Sequence, residues 1–395
     1  MSKHPVAQAL TRIQNEVNSQ YFERRACIEA VILAVLAKQH AYILGPPGTG
    51  KSEMTRAILE RFTSAVYFEQ LLSKTRPDQA VLGPYDLPLL REKGDFKRKI
   101  DGYLYTAHFA FLDEIGKMSP TMGHDLLAAL NERVRHEVNG GHSTHKIPLH
   151  TVITASNELI VGESDDAAAT WDRLLVRVVV DYLAEPGNFA SLVGEDTVPV
   201  ANPTTVDYAD LLDAVDNVVP QVKTPVDVIE AFVNLRASLD GEGIRPSDRR
   251  WRQCRRLVQA SAFLNGRDTA EVDDLGVLRF ALWDSPEQIN PVERATLKIS
   301  NPLNEKILQV QDDASGIRKE IAARKGKSLA DRAGYGSEAM GKVTQLNSEL
   351  QKIKQECLST GRSVSKVEEA LDDLKGLKRS ILVECLEMDP GTVGE

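Results

Sequence analysis

Residues 45–52 read Gly45-Pro46-Pro47-Gly48-Thr49-Gly50-Lys51-Ser52, and no other stretch restricts the fold as much. They follow the apolar run Tyr42-Ile43-Leu44, which predicts the end of a buried strand. They precede Glu53 to Phe62, a helical pattern. Strand, glycine-rich turn and helix, with G-x-x-x-x-G-K-[ST] on the turn, is the arrangement that cradles a phosphate chain. The glycines let the backbone curl with its N–H groups inward. The helix adds its positive dipole end. Lys51 offers a point charge to the outer phosphates, and the Ser52 hydroxyl a ligand for Mg²⁺.

Two later strands add chemistry. Phe109-Ala110-Phe111-Leu112 runs into Asp113-Glu114. An Asp at the carboxyl end of a parallel strand beside a phosphate loop holds the Mg²⁺ shell, and the adjacent Glu can orient or deprotonate an attacking water. The run from His150 to Ser156 ends in Asn157, which could hold that water, touch the γ-phosphate, or simply cap a turn. Tyr21-Phe22-Glu23-Arg24 precedes the first strand and could touch a base or pack in the core. Residues 70–107 are long for a connection, with a hairpin expected around Leu89 to Arg98. The basic cluster Lys93, Lys97, Arg98, Lys99 in this region reads as a solvated face. A second hairpin is expected from Val134–Val138 and Lys146–Leu149, turning at Asn139-Gly140-Gly141. His136, His142 and His145 lie close together there without any ligand-spaced carboxylate or cysteine, so they read as exposed histidines.

Further along, the 185–222 stretch reads as linker, and Thr224-Pro225 as a helix start with Pro in its first position. Helices are expected from Ser247 and over Asp273–Trp283, an all-α unit. Val343, Leu346, Leu350, Ile353 and Cys357, then Val364, Val367, Leu371 and Leu374, form short heptad-like seams on either side of Gly361. They predict a helical hairpin, joined by a helix around Ile307–Ile321. The chain has 395 residues, room for two or three domains. Its formal net charge of -9 argues against nucleic acid as the partner. The four scattered cysteines fit reduced thiols of a cytoplasmic protein, and no apolar run is long enough to span a membrane.

Taken together, the landmarks resemble the AAA+ ATPases, most closely the MoxR family and its RavA-like regulatory members. The motifs are GPPGTGKS (45–52), FLDEI (111–115), LNER (130–133), ITASNEL (153–159), WDRLLVRV (171–178) and PSDRRW (246–251), within a resemblance running from about residue 15 to 285. The resemblance implies an α/β fold: a P-loop αβα domain with a parallel sheet over 1–190, a linker over 191–222, an all-α lid over 223–295 and a helical domain over 296–395. It implies ATP and Mg²⁺ as cofactors, with Gly45, Pro46, Pro47, Gly48, Thr49, Gly50, Lys51 and Ser52 around the phosphates. Ser52 and Asp113 would hold the metal. Glu114 would be the catalytic glutamate and Asn157 the first sensor. Arg173 looks like the finger reaching a neighbouring subunit's site, with Arg177 as rival. Arg249 looks like the second sensor, acting in cis from the lid, with Arg250 as rival. The implied activity is hydrolysis of ATP to ADP and phosphate in a ring of copies, usually a hexamer. The implied role is chaperone-like remodelling of a partner, often a protein with a von Willebrand A domain. RavA-like proteins carry a β-rich insert in their helical domain; this chain runs helix to helix there. A nucleic-acid motor and a nucleotide-gated scaffold are the rival readings. A GTPase lacks support because no N-K-x-D motif occurs.

Overall fold

The chain opens with two helices, α1 (Pro5–Asn18) and α2 (Arg25–Ala37). A computed structural model describes residues 4–73, 78–118, 120–138, 142–160, 165–194, 200–300, 302–324, 328–359 and 364–386. In α1 the apolar positions Leu10, Ile13 and Val17 share one buried face. In α2 every residue from Ala30 to Ala37 is buried, as expected of a helix enclosed on all sides. It ends where Lys38 turns left-handed at φ 54°.

The central elements follow as β1 (Ala41–Leu44), α3 (Lys51–Leu59), β2 (Phe62–Thr63), β3 (Tyr67–Leu71), α4 (Gln79–Leu82), α5 (Leu87–Lys93), β4 (Phe109–Asp113) and α6 (Pro120–Glu132). Then come β5 (Val134–Val138), β6 (His142–Lys146), β7 (Thr151–Ser156), α7 (Asp165–Arg173) and β8 (Val176–Val179). Five strands form one parallel sheet in the order β3-β4-β7-β1-β8. Its middle strands are mostly apolar and buried up to Asp113, because helices cover both faces of such a sheet. β1 sits between two strands that come late in the chain, so its carboxyl end opens at a topological switch point. The register aligns the functional ends: Ile43 lies beside Ala155, and Ala155 beside Asp113.

Several local expectations are corrected. Leu89 to Arg98 is no hairpin: α5 occupies it, capped by Asp86 with Pro88 in the first turn and stopped by Gly94 at φ 71°. A bridge between Tyr85 and Arg98 still closes the segment's ends. The 134–149 hairpin forms, but its return strand is β6, ahead of Lys146–Leu149. The tip at 139–141 lies outside the described residues. The stretch read as linker carries α8 (Pro186–Gly194), β9 (Val206–Asp207) and α9 (Tyr208–Asp213). β9 pairs with β2, and Tyr208 packs on Phe109 and His150, so part of this span belongs to the large domain. A two-residue strand and a six-residue helix are too short to show periodicity.

The lid contains α10 (Val226–Gly241), α11 (Asp248–Leu264) and α12 (Ile289–Ser300). α10 begins one residue later than expected, with Pro225 as its cap. Val272–Phe280, expected as an α-helix to Trp283, winds as a tighter 3₁₀ stretch. The chain then forms α13 (Pro302–Ala323), α14 (Leu329–Ser359) and α15 (Ser365–Ser380). Val343, Leu350, Ile353, Val367, Leu371 and Leu374 meet Ile307, Val310 and Ile317 in a core separate from that of the large domain and lid. The expected turn at Gly361 lies outside the described residues. All four cysteines are buried and none is in a disulfide. Among the described residues no helix is long and apolar enough to cross a membrane.

Candidate active site

The glycine-rich turn leaves β1 at Leu44 and becomes α3 at Lys51. Gly45 must be glycine: a Cβ there would stand 2.1 Å from the Val180 carbonyl oxygen. Gly48 and Gly50 both have φ 77°, the left-handed backbone that turns successive N–H groups inward. The Thr49 hydroxyl donates to the Pro46 carbonyl at 2.9 Å and tightens the turn. Lys51 is buried, and its ammonium donates to the loop carbonyls of Gly45 at 2.7 Å and Pro46 at 2.8 Å. Burial lowers its pKa, while Asp113 and then Glu114 act to raise it.

Ser52 Oγ donates to Asp113 Oδ2 at 3.3 Å, which brings the two proposed metal ligands side by side. A hydroxyl and a carboxylate are oxygen donors suited to a hard cation such as Mg²⁺, which keeps most of its waters. The inward loop N–H groups, the buried lysine and this oxygen pair together fit a Mg²⁺-bound phosphate chain. Glu114 sits just past β4 with φ 56°, a left-handed conformation for a non-glycine residue. Its N–H donates to Asp113 Oδ1 at 2.9 Å, and Lys117 Nζ lies 3.3 Å from its Oε2. Asn157 is exposed, one residue past β7 and two beyond the residue paired with Asp113.

The four candidate arginines separate by their partners. Arg177 is fully buried and donates to Leu174 O at 2.9 Å, Trp171 O at 2.7 Å and Asp284 Oδ1 at 2.8 Å. It also stacks on the Trp171 ring, with its guanidinium carbon 4.0 Å from the centroid. Burial, then the neighbouring Arg250, lowers it to about 9. Arg250 is buried too, 2.9 Å from Asp284 Oδ1 and 3.6 Å from Asp172 Oδ1. Asp284 thus anchors both. Burial alone would raise its carboxyl, but Arg250 and Arg177 hold it below the usual carboxylate range. These two buried arginines fasten the lid to α7 through ion pairs, though Nε and Nη1 of Arg250 make no hydrogen bond among the described residues.

Arg173 differs. It is half-buried, donates only within its own helix to Ala169 O at 2.8 Å, and its Nε is buried without a hydrogen-bond partner among the described residues. Arg249 donates to Asn131 Oδ1 on α6. Burial and then the charge of Arg249 lower the pKa of Arg173. None of the contacts found for Arg249 among the described residues takes it to the phosphate loop.

Other sequence candidates are used locally. Arg98 stacks over Tyr85 at 4.4 Å and donates to Gly83 O at 3.0 Å. His136 and His145 are exposed and meet the hydroxyls of Thr144 and Ser143, each at 3.2 Å. Among the described residues no group of three His, Cys, Asp or Glu side chains is placed to hold a metal ion. Sequence reasoning missed Lys117, Asp172 and Asp284. Each matters only through a neighbour in space, and none stands at a fixed position of a phosphate-binding motif.

Comparison with known proteins agrees with this geometry. Residues 8–195 match the model of the MoxR domain in the MoxR–vWA–β-propeller ternary systems, and residues 227–296 match an AAA lid domain. The chain is similar to two uncharacterised proteins of Methanocaldococcus jannaschii. One is 31% identical over 94% of this chain and 98% of its own length; the other is 30% identical over 92% and 94%. Among solved structures, a protein of Cytophaga hutchinsonii described provisionally as an ATPase superposes with a TM-score of 0.56 at 16% identity. That match covers 75% of this chain and 95% of the other, and it bears on the fold alone. With its motifs in order on a parallel five-stranded sheet and the lid behind them, the chain belongs to the MoxR family of AAA+ ATPases.

Proposed function

We propose that the protein hydrolyses ATP at the interfaces of a ring of copies and uses the cycle to remodel a partner protein. The observation that carries this reading is the Ser52–Asp113 pair at 3.3 Å beside the buried Lys51 and the inward-turned loop. Mg²⁺ would be held by Ser52 and Asp113, and when bound it supplies charge to the β- and γ-phosphates. Lys51 would move from the loop carbonyls to the phosphates. Glu114 would orient the attacking water, and Asn157 would steady it from the next strand.

Arg173 is the finger in this reading, because it is only half-buried, whereas Arg177 and Arg250 are buried against Asp284. The charge of Arg249 acts on Arg173, which supports a joint role: both cations would meet the γ-phosphate of a neighbouring copy, where a bidentate guanidinium suits phosphate oxygens. The proposed partner is a protein with a von Willebrand A domain, as in the systems for which the matched domain model is named. A hexamer, a cytoplasmic location, the RavA-like assignment and the domain limits at 190, 222 and 295 belong to the same proposal.

The test is ATP hydrolysis per chain against protein concentration, with particle mass recorded in the same samples. Activity that rises with assembly is expected. Constant activity from a monomer would remove the shared site and leave a solitary ATP switch.

A further inference from the structure

Arg24 begins α2 far from any phosphate-binding motif, yet it is 7% exposed and fully engaged. Its Nε donates to the Thr49 carbonyl in the phosphate loop at 3.2 Å. One terminal nitrogen donates to the Asp181 carbonyl at 2.8 Å, the other to Glu23 O at 3.1 Å. A single guanidinium thus ties the loop to the segment after β8. Tyr182 in that segment also reaches the loop, its hydroxyl donating to Pro47 O at 3.4 Å. Glu23, left-handed at φ 56°, turns its carboxylate onto the same segment. It accepts from Ala184 N at 2.8 Å, Glu185 N at 3.0 Å and Asn188 Nδ2 at 2.9 Å.

The far end of this segment carries the C-terminal bundle. Glu185 accepts from Arg318 of α13 at 3.1 Å, and Arg318 also grips Asp373 of α15 at 2.8 Å. α15 approaches so closely that a Cβ on Gly376 would lie 2.5 Å from Glu185 Oε2. Burial raises the Glu185 carboxyl, and Arg318 acts against that rise. The contacts are therefore continuous: Thr49, Arg24, residues 181–185, Arg318. The bundle has its own core, separate from that of the large domain and lid.

We propose that Arg24 is a positioning residue of the phosphate loop, and that the C-terminal bundle, seated on Glu185, sets nucleotide affinity through it. The proposal rests on the nucleotide reading given above. With the bundle docked, the 181–185 segment is held and Arg24 keeps the Thr49 carbonyl turned outward, so the loop N–H groups stay inward. Undocking loosens the loop. Linkage makes the effect reciprocal: what the bundle does for nucleotide affinity, nucleotide does for docking.

The experiment uses the full chain and ADP with Mg²⁺. Calorimetry measures Kd for the wild type, Glu185→Gln, Arg318→Ala, Arg24→Lys and the double variant Arg24→Lys/Glu185→Gln. Hydrogen exchange follows α13 and α15 with and without ADP. Glu185→Gln and Arg318→Ala are expected to weaken ADP at least about five-fold, within the usual range of coupling between sites. The double variant is expected to lose less than the product of the single losses, because both act on one chain of contacts. A merely structural Arg24 would give independent effects. ADP is also expected to slow exchange in α13 and α15.

Affinities within two-fold of wild type in both bundle variants, or exchange in α13 and α15 unmoved by ADP, would overturn the proposal. A wild type that binds no ADP would overturn the nucleotide reading itself, and the proposal with it. Should Arg318→Ala unfold the bundle, fast exchange at the middle of α14 reveals it. The near-isosteric Glu185→Gln then carries the test.

Discussion

Mild acid should strip stability from the body formed by the large domain and lid, because two buried imidazoles have no room for a second proton. His40 stands 2.8 Å from Leu130 O through Nε2, while its Nδ1 accepts the Val152 N–H at 3.0 Å. The neutral ring with its proton on Nε2 satisfies both, and a proton on Nδ1 would face another N–H. His150 uses Nε2 toward Val35 O at 2.8 Å, and its Nδ1 is buried without a hydrogen-bond partner among the described residues. Burial lowers His40 to about 3 and His150 to about 4, from an ordinary 6.5. Arg133 adds to both shifts. The sign follows from linkage. The unfolded chain takes up these protons first, so the stability is full above the ordinary value and drains as pH falls toward the folded ones. At 1.36 kcal/mol per pH unit, the loss between pH 7 and 5 is about 2 kcal/mol per ring, about 4 kcal/mol together. That is a large share of the ~5–15 kcal/mol typical of a folded protein. Urea unfolding followed by tryptophan fluorescence is the assay. The three tryptophans, Trp171, Trp251 and Trp283, all precede the C-terminal bundle, so the signal reports the body alone. His150→Gln should remove about half of the pH dependence. A transition free energy that changes by less than 1 kcal/mol over this range, or a His40 resonance titrating near 6.5, would refute the reasoning.

Further substitutions probe other contacts. Arg173→Ala should keep ADP binding and lose phosphate release, and mixing it with Lys51→Ala should restore part of the turnover; Arg249→Ala should behave the same way. No recovery in either mixture would place that arginine in its own subunit's site. Arg177→Met removes a buried partner of Asp284 and should cost about 3–5 kcal/mol in urea unfolding. An unchanged midpoint there would mean that Arg250 alone neutralises Asp284. Gly45→Ala pushes a methyl against the Val180 carbonyl and should destabilise the body by about 1–3 kcal/mol; an unchanged melting temperature would show that the strand end gives way freely.

Much of the site was legible along the chain because its parts are local. The loop Gly45–Ser52 needs glycines for curvature and a helix start, and the strand-end pair Asp113-Glu114 needs only an apolar run before it. Apolar periodicity also announced the long helices after residue 301. The 85–98 segment misled because helix α5 and the Tyr85–Arg98 bridge put helix and strand-like signals in a few residues. The span after Gly194 misled because β9 gains meaning only beside β2. The arginines show the division most sharply. Arg173, Arg177, Arg249 and Arg250 look alike as letters, each a permanent cation close to an aspartate or another arginine. Sequence determined that such cations would be present just before and within the last sheet strand and at the start of the lid helix. Only the tertiary structure decided their uses, because a guanidinium's role depends on which acceptors come within hydrogen-bonding reach. Asp284 arrives from the far end of the lid to hold Arg177 and Arg250, while half-buried Arg173 donates, among the described residues, to Ala169 O of its own helix.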